Sequence, residues 1–504
     1  MDELFLVSCL SLAAILLLSL HVNRTSATKE TGARLPPGPW NLPVIGSLHH
    51  LVGAPPHRAL LRLARLHGPV MLLRLGEVPA VVVSSPEAAA EVMKANDPVF
   101  ASRPRGATAD VVGFGGKGLI FAPYGEHWRQ MRKVCVVELL SARQVRRMER
   151  IRQAEAATAM AASPSADAVI NLSQGLTALT NNVIARAAFG GECRQQQAYL
   201  LEIEVVATLA AGFNLPDLFP SSRLARWLSG AVRDLRRSHA RVERITAGIV
   251  QERMEKRSTS HGIVGADVDD EDLLDVLLRL QEEGSLAFPI TTEIIGAVIS
   301  DIFGAATDTT ASTIEWAMAE LIRNPQAMSR ATYEVRQKLG QGRVSITNAD
   351  LGDLHYLRMV IKETLRLRPP APLILRASQE NCQIMGYDIP RGSSVFINTF
   401  AVAQDPRYWD NPEEFLPERF ESSTPDYRWT HFEFIPFGAG RRQCPGALFA
   451  TTTIEITLAN LLYHFDWALP TGGDPKVLDM SELFGITVRR RANLCMQASL
   501  HSGH

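Results

Sequence analysis

Cys444 lies in a short segment whose residue types suit a metal-binding thiolate. The segment reads Phe-Gly-Ala-Gly-Arg-Arg-Gln-Cys-Pro-Gly from residue 437 to 446, and a helical pattern follows it. Arginines and backbone N–H groups near a cysteine favour the thiolate over the thiol. Glycines let the backbone approach a bulky, flat group closely. Pro445 has no N–H to donate and suits the first turn of the helix. The segment therefore predicts a thiolate ligand held against a flat cofactor.

This segment resembles the cysteine loop of the cytochrome P-450 superfamily. The family's pattern, Phe-x-x-Gly-x-Arg-x-Cys-x-Gly, is matched at Phe437, Gly440, Arg442, Cys444 and Gly446. The resemblance implies haem b (iron protoporphyrin IX), with Cys444 as the iron ligand and Phe437, Gly438 and Arg442 against the haem. Such a thiolate pushes electron density onto haem iron and favours O–O cleavage. A glycine-rich turn around a buried structural cysteine is the alternative, and several independent motifs argue against it.

The second motif is the centre of a long helix predicted between Pro289 and Pro325, where small or weakly helix-forming residues collect. The Thr309 hydroxyl is placed to bond the carbonyl of Ala305 and bend the helix locally. Asp308 adds an acid, so both side chains are candidates for proton delivery. The stretch resembles the family's oxygen-activation motif, Ala/Gly-Gly-x-Asp/Glu-Thr-Thr/Ser, with Ala306 in place of the usual glycine. We assign Thr309 and Asp308 as catalytic residues; a solvent-facing polar stripe is the alternative.

The third motif is Trp128 and Arg132, which share a helix face because they lie four residues apart. An indole N–H and a guanidinium group are suitable donors to carboxylates. An ordinary amphipathic helix would carry the same pair, but the spacing resembles the family's Trp-x-x-x-Arg contact with the haem propionates. The resemblance adds Arg442 as a third donor. Arg376 is the fourth, although it stands one position earlier than in related plant sequences.

Glu363 and Arg366 lie three apart in a helical stretch, so they too share a face. Such pairs are common on exposed helices and contribute little there. A buried pair needs further partners, and Arg419 in Pro-Glu-Arg-Phe is the candidate. The order of these elements is similar to that of the family's Glu-x-x-Arg and Pro-Glu-Arg-Phe motifs. The implied role of all three residues is structural.

The composition argues against a nucleic-acid-binding protein and favours a reducing compartment. The chain has 504 residues and a formal net charge of −1, so it lacks the basic excess of a nucleic-acid-binding protein. Its six cysteines are scattered, without a CxxC pair, which fits a reducing compartment. Trp128 and Cys444 are expected to serve one cofactor, so we predict one large catalytic unit over residues 41–504.

The N-terminus predicts a membrane anchor. Residues 4–20 are nearly all apolar, acidic residues precede them, and Arg24, Lys29 and Arg34 follow. This run is at the short end for a membrane span, and it lacks the basic start of a cleaved signal peptide. Because positive charge stays in the cytosol, we expect a signal anchor over residues 1–23 in the endoplasmic reticulum and a cytosolic catalytic domain. Residues 24–40 are expected to be a basic linker and a stiff proline-rich hinge.

The elements that carry these motifs predict a mostly α fold with a small β subdomain. Two short runs of β-branched residues from Val70 to Val83 predict a hairpin. A second β-rich stretch spans Cys382 to Asn398, and most of the rest has helical spacing. The resemblance implies one haem domain with the cofactor between the long helix and the cysteine loop. Its expected pocket segments are mostly apolar and comprise residues 111–121, 209–215, 299–306, 373–375 and 484–487.

The resemblance covers essentially the whole chain and is closest to plant A-type microsomal enzymes of specialised metabolism. It implies a haem-thiolate monooxygenase that uses O2 and electrons from NADPH through a membrane reductase, with a microsomal cytochrome b-type donor as a further partner. A basic surface at Arg129, Lys133, Arg143, Arg146 and Arg147 is expected to bind an acidic donor. Family analogy and the apolar pocket segments predict a hydrophobic substrate. The first expectation is a terpenoid, and within that class a diterpenoid; phenylpropanoid, alkaloid and fatty-acid derivatives are the alternatives. An NADPH-independent isomerase or dehydratase and a non-catalytic haem-binding protein are the alternatives.

Overall fold

A computed structural model describes residues 33–161, 169–190, 195–211, 214–260, 271–284, 286–343, 346–421 and 431–501. The predicted anchor lies outside these ranges. Among the helices in the described part of the chain, none is both long and apolar enough to cross a membrane. The proline-rich hinge is described from Ala33 onward and has neither helix nor strand before residue 41. It lies against the first strand, where Pro37 O accepts from Leu72 N at 2.8 Å.

Helices make up most of the described chain, as predicted. They are α1 (Pro56–His67), α2 (Pro86–Ala90), α3 (Ala107–Val112), α4 (Glu126–Lys133), α5 (Ala142–Arg147), α6 (Glu149–Ala161), α7 (Leu172–Phe189), α8 (Gln196–Ala210), α9 (Leu215–Leu218), α10 (Arg223–Leu228), α11 (Gly230–Ser260), α12 (Leu273–Glu283), α13 (Thr292–Arg323), α14 (Pro325–Leu339), α15 (His355–Leu367), α16 (Thr399–Val402) and α17 (Ala447–His464).

The strands form small sheets, as the β-rich stretches predicted. They are β1 (Val70–Leu75), β2 (Val78–Val83), β3 (Val169–Asn171), β4 (Leu373–Ala377), β5 (Cys382–Ile384), β6 (Tyr387–Ile389), β7 (Ser394–Asn398), β8 (Phe465–Ala468), β9 (Glu482–Leu483), β10 (Arg489–Arg490) and β11 (Cys495–Leu500). One sheet has the order β1-β2-β7-β4. Its β1–β2 pair is the predicted hairpin, and the β2–β7 pair is parallel. Gly76 turns the hairpin with a φ of +63°, a conformation that favours glycine.

The predicted long helix is α13, and it runs through the core. Its start is capped by Thr291, whose side chain accepts from Ile294 N, and it ends at Arg323, just before Pro325. Residues 294–301 and 310–322 of this helix are buried, and the helix packs against α7, α11, α15 and α17. Its centre, residues 304–309, is more accessible. The core therefore holds both ends of α13 and leaves its centre beside a cavity.

Candidate active site

The cysteine loop is a tight turn between the sheet and α17. Cys444 N donates to Phe437 O at 2.9 Å, and Gly438 and Gly440 have φ of +69° and +70°. A Cβ on Gly440 would lie 2.7 Å from Asp97 Oδ1, so only glycine fits there. A Cβ on Gly438 would meet Ile374 Cδ1 at 3.2 Å. The loop geometry therefore requires the glycines that the sequence pattern predicted.

The loop turns Cys444 toward an internal cavity. Its side chain is accessible although the residue lies deep in the protein, because it lines that cavity. Burial raises the pKa of the Cys444 thiol, and the N–H of Gly446 and the charge of Arg132 oppose that rise. A cation bound at the sulfur would stabilise the thiolate further. The chemistry of this residue therefore suits a metal ligand.

The cavity is lined mainly by apolar side chains, between α13 on one side and the cysteine loop and α17 on the other. Phe437 and Gly438 line it next to Cys444, and Trp128 and Arg132 reach it from α4. Of the five expected pocket segments, residues 119–120, 301–302, 305–306 and 374 contribute to its wall. Phe484, from another expected segment, instead has its ring 6.3 Å from that of His57. Residues remote in the chain thus meet at one cavity.

Three arginines, Arg103, Arg376 and Arg442, lie beside one end of this cavity. Arg442 donates to the backbone carbonyls of Ala101 and Leu119 at 2.6 and 3.0 Å. Arg376 is 1% exposed, and its Nε has no hydrogen-bond partner. Within the described residues, none of the three forms an ion pair with a carboxylate.

The charge of this arginine cluster is poorly compensated. Burial lowers the pKa of Arg103 to about 10 and that of Arg442 to about 9, and Arg103 and Arg132 repel Arg442. The pKa of Arg376 is also lowered, by burial and then by Arg103 and Arg442. Buried guanidinium groups need anionic partners, and a carboxylate is the partner that matches their geometry. The cluster fits the two propionates of haem, a flat group that the apolar walls and the glycines of the loop also suit.

The expected propionate donors differ in their surroundings. Trp128 is buried, and its Nε1 donates to Leu119 O at 3.1 Å. Its ring lies 4.4 Å from the guanidinium carbon of Arg442, a cation–π contact. The indole N–H thus has a backbone partner, so contact between Trp128 and a propionate stays a prediction. Arg103 was not predicted; no periodicity marks it, and only its position in the fold brings it to the cluster.

The structure separates the two expected catalytic residues. Thr309 lines the cavity, and its Oγ1 donates to Ala305 O at 2.7 Å, as predicted. Helix α13 nevertheless continues without a break through this turn. The carboxylate of Asp308 lies 3.9 Å from Arg489 Nη1, and this residue does not belong to the cavity wall. The assignment of both residues to proton delivery stays a prediction.

The expected structural residues form one buried network, as the sequence suggested. Arg366 binds both oxygens of Glu363 at 2.7 and 2.8 Å, and both residues are fully buried. Arg419 Nε donates to Glu363 Oε1 at 3.0 Å. Backbone carbonyls, including those of Ala403 and Pro412, accept the remaining Arg366 donors. The network joins α15 to the segment that leads to the cysteine loop.

Fold and site together define a haem-thiolate protein. The sequence matches the family model for Cytochrome P450 over residues 36–496. The chain belongs to the cytochrome P450 family, and it is a haem-thiolate monooxygenase.

Similar proteins come from several plants. The chain is 46% identical over 484 residues to desmethyl-deoxy-podophyllotoxin synthase of Sinopodophyllum hexandrum, covering 96% of this chain and 95% of the relative. It is 45% identical to ent-isokaurene C2/C3-hydroxylase of Oryza sativa subsp. japonica, covering 98% of each. It is 43% identical to 5-epiaristolochene 1,3-dihydroxylase of Nicotiana tabacum, covering 97% of each. A zebra fish cytochrome P450 structure with progesterone has a TM-score of 0.75 and 25% identity, covering 89% of this chain and all of that one.

Proposed function

We propose that this protein hydroxylates an unactivated C–H bond of a terpenoid in plant specialised metabolism. Among terpenoids, we propose a diterpenoid as the substrate. The observation that carries the proposal is the apolar cavity above Cys444, since an apolar pocket with few polar groups suits a hydrophobic substrate. The relatives include a hydroxylase named for ent-isokaurene and a dihydroxylase named for 5-epiaristolochene.

The chain's own residues would bind the haem and deliver protons. Cys444 would ligate the iron, Phe437 and Gly438 would pack against the ring, and Arg103, Arg132, Arg376 and Arg442 would bind the propionates. Haem supplies dioxygen activation when bound. Thr309 would deliver a proton from the cavity wall. The carboxylate of Asp308 faces Arg489 in the structure. Asp308 would therefore have to turn away from Arg489 before it could pass protons to Thr309.

We place the binding surface for NADPH–cytochrome reductase, and for a cytochrome b-type donor, on the outer faces of α4 and α5. Arg129, Lys133, Arg143 and Arg146 are exposed there, and Arg147 is half-buried. Helix α5 packs against α17, which begins just after the cysteine loop. Positive charge beside the cysteine side of the cofactor would attract an acidic electron donor, and salt would weaken that attraction.

We also propose that the protein is anchored at the endoplasmic reticulum membrane by residues 1–23, with the catalytic domain in the cytosol. An exposed apolar surface near the first described residues supports this. It comprises Trp40, Val44, Ile45, Leu215, Leu224, Trp227 and Leu228. Gly76 N donates to Ile45 O, and Glu77 N donates to Leu218 O, so the β1–β2 turn joins the two halves of this surface. Large exposed apolar surfaces mark sites of interaction with membranes or proteins.

The test is a paired incubation of membranes that carry this protein and a plant reductase. A panel of diterpene and sesquiterpene hydrocarbons is supplied with and without NADPH, and products are read by mass. A product one oxygen heavier, formed only with NADPH, is expected. Products formed equally without NADPH would support an isomerase or dehydratase instead. No oxygenated terpenoid from a preparation with a normal reduced carbon-monoxide spectrum would overturn the terpenoid assignment.

A further inference from the structure

Asp301 is a buried carboxylate on the cavity side of α13 that neither haem binding nor proton delivery uses. It lies eight residues, or about 12 Å, before Thr309 along the helix. Its side chain is 8% exposed and lines the cavity. Across from it runs the α3–α4 loop, residues 113–125, which connects α3 to α4.

Asp301 Oδ2 accepts two backbone hydrogen bonds from that loop. The donors are Leu119 N at 2.5 Å and Ile120 N at 3.1 Å. Burial raises the pKa of Asp301 to about 6, and the N–H groups of Ile120 and Leu119 oppose that rise. Hydrogen bonds from two N–H groups favour the charged carboxylate over the neutral acid. Hydrogen bonds to a charged acceptor are stronger than neutral ones.

The loop is shaped to allow this contact. A Cβ on Gly118 would lie 3.0 Å from Asp301 Cγ and closer still to Oδ2, so a larger residue would push the carboxylate and the loop apart. Gly118 and Leu119 are buried, whereas Gly115 and Lys117 are exposed. Gly118 therefore allows the close approach of the loop to α13.

The same two peptide groups also face the arginine cluster. Leu119 O accepts from Trp128 Nε1 and Arg442 Nη1, and Ile120 O accepts from Arg103 Nε at 3.2 Å. Their N–H groups thus bind α13 while their carbonyls bind the residues at the haem end. Leu119 and Ile120 are held from both sides, and their side chains line the cavity.

We propose that Asp301 is a positioning residue that fixes the α3–α4 loop as one wall of the cavity and thereby orients the substrate beside Thr309. The orientation of the substrate rests on the proposed function, whereas the attachment of the loop does not. Without the charge of the Asp301 carboxylate, the two buried N–H groups have at most a neutral oxygen as acceptor, so the loop is held less firmly and can adopt other positions. A substrate would then present different carbon atoms to the reacting centre.

The first test is hydrogen exchange of the full-length, haem-loaded protein. In the wild type we expect the segment 118–121 to exchange much more slowly than Gly115, Gly116 and Lys117. In Gly118→Ala we expect it to exchange on the order of tenfold to a hundredfold faster, the range for losing a charged hydrogen bond. In Asp301→Asn we expect about fivefold to tenfold faster exchange, because the remaining amide oxygen accepts only neutral hydrogen bonds, which are about half as strong. Gly118→Ala breaks the contact from the loop side and keeps the carboxylate.

The matched control is Glu293→Gln. It removes an exposed ion pair with Lys117 between the same helix and the same loop, and such pairs contribute little. Equal acceleration in Glu293→Gln and Asp301→Asn would overturn the proposal. So would unchanged exchange in both Asp301→Asn and Gly118→Ala, or a wild-type segment 118–121 that exchanges as fast as Gly115. If a variant fails to bind haem, the wild-type comparison of segment 118–121 with residues 115–117 still tests the proposal.

The second readout is the ratio of product isomers and the product formed per NADPH, with a substrate found in the incubation described above. Asp301→Asn and Gly118→Ala should change the ratio in the same direction and keep the thiolate-type carbon-monoxide spectrum. An unchanged ratio together with faster exchange would overturn the substrate-orienting role. If the wild type forms no oxygenated product, the proposed function fails, while the exchange result still decides whether Asp301 holds the loop.

Discussion

Asp308 Oδ1 lies 3.9 Å from Arg489 Nη1, so the carboxylate on α13 faces β10 rather than the cavity. Strand β10 is held in this place by its neighbour Val488, whose carbonyl accepts from Ser312 Oγ at 2.9 Å. Both partners of the ion pair are partly exposed, and an exposed pair contributes at most about 1 kcal/mol. The ion pair therefore orients the Asp308 carboxylate toward Arg489 but is too weak to fix it there.

Asp308→Asn should slow product formation on the order of a hundredfold, the lower range for loss of an acid–base group. Arg489→Gln should change the rate less than about fivefold, because the ion pair it removes is weak. The rates of product formation and NADPH use are measured together. A normal rate in Asp308→Asn would contradict the assignment of Asp308 to proton delivery.

Thr309→Ala should keep the thiolate-type reduced carbon-monoxide spectrum but use NADPH without matching product. The reason is that the Thr309 hydroxyl lines the cavity, and its loss removes a proton donor while leaving the iron ligand in place. Cys444→Ala provides the contrast, since it should abolish that spectrum. Product per NADPH is the measurement, and coupled turnover by Thr309→Ala would show that the hydroxyl is not required.

Arg442→Met should lower haem content, and the neighbouring Arg441→Met should not. Arg442 is 8% exposed and lies in the unpaired cluster, whereas Arg441 is exposed and pairs with Asp97 at 3.0 Å. The haem-to-protein ratio of purified protein is measured by the spectrum of the reduced pyridine complex. Equal haem content in the wild type and Arg442→Met would exclude Arg442 as a propionate partner.

Glu363→Ala should destabilise the protein by about 3–5 kcal/mol, because it leaves Arg366 buried without its anionic partner. The control is Glu421→Gln, which removes an exposed contact with Arg330 and should change stability by less than about 0.5 kcal/mol. Unfolding of the haem-loaded protein is followed by denaturant titration. Similar stabilities of the two variants would show that the Glu363 network is not a main support of the core.

Glu482 should stabilise the protein at neutral pH and lose this effect in acid. Burial raises the pKa of this carboxyl, but hydrogen bonds from Arg58 and His57 outweigh burial and hold the pKa well below its usual value. A depressed pKa adds stability above the unfolded-state pKa, and that stability disappears as pH falls toward the folded-state pKa. Glu482→Gln should therefore be less stable than the wild type at pH 7 by about 1.5–3 kcal/mol. The difference in stability between the wild type and Glu482→Gln should narrow from about pH 5 downward. A difference that widens in acid would contradict the lowered pKa of Glu482.

Local patterns in the sequence were sufficient for several features of the site. The cysteine loop, the back-bond of Thr309 and the Glu363–Arg366 pair depend on residues within ten positions of each other. Backbone geometry and helix periodicity act over this range, so residue type and spacing determine them. The extent of α13 and the β1–β2 hairpin were predictable for the same reason.

Other features were decided only by the tertiary structure. Arg103 joins the arginine cluster, Asp301 binds the loop at Leu119 and Ile120, and Asp308 turns toward Arg489. Each of these contacts joins residues more than a hundred positions apart or on different elements, and none leaves a periodic signal. Their geometry depends on how α13 packs against the α3–α4 loop and the β9–β10 pair. The sequence predicted the cofactor ligand and determined the class of chemistry, whereas packing decided which side chains face the cavity and how its wall is held.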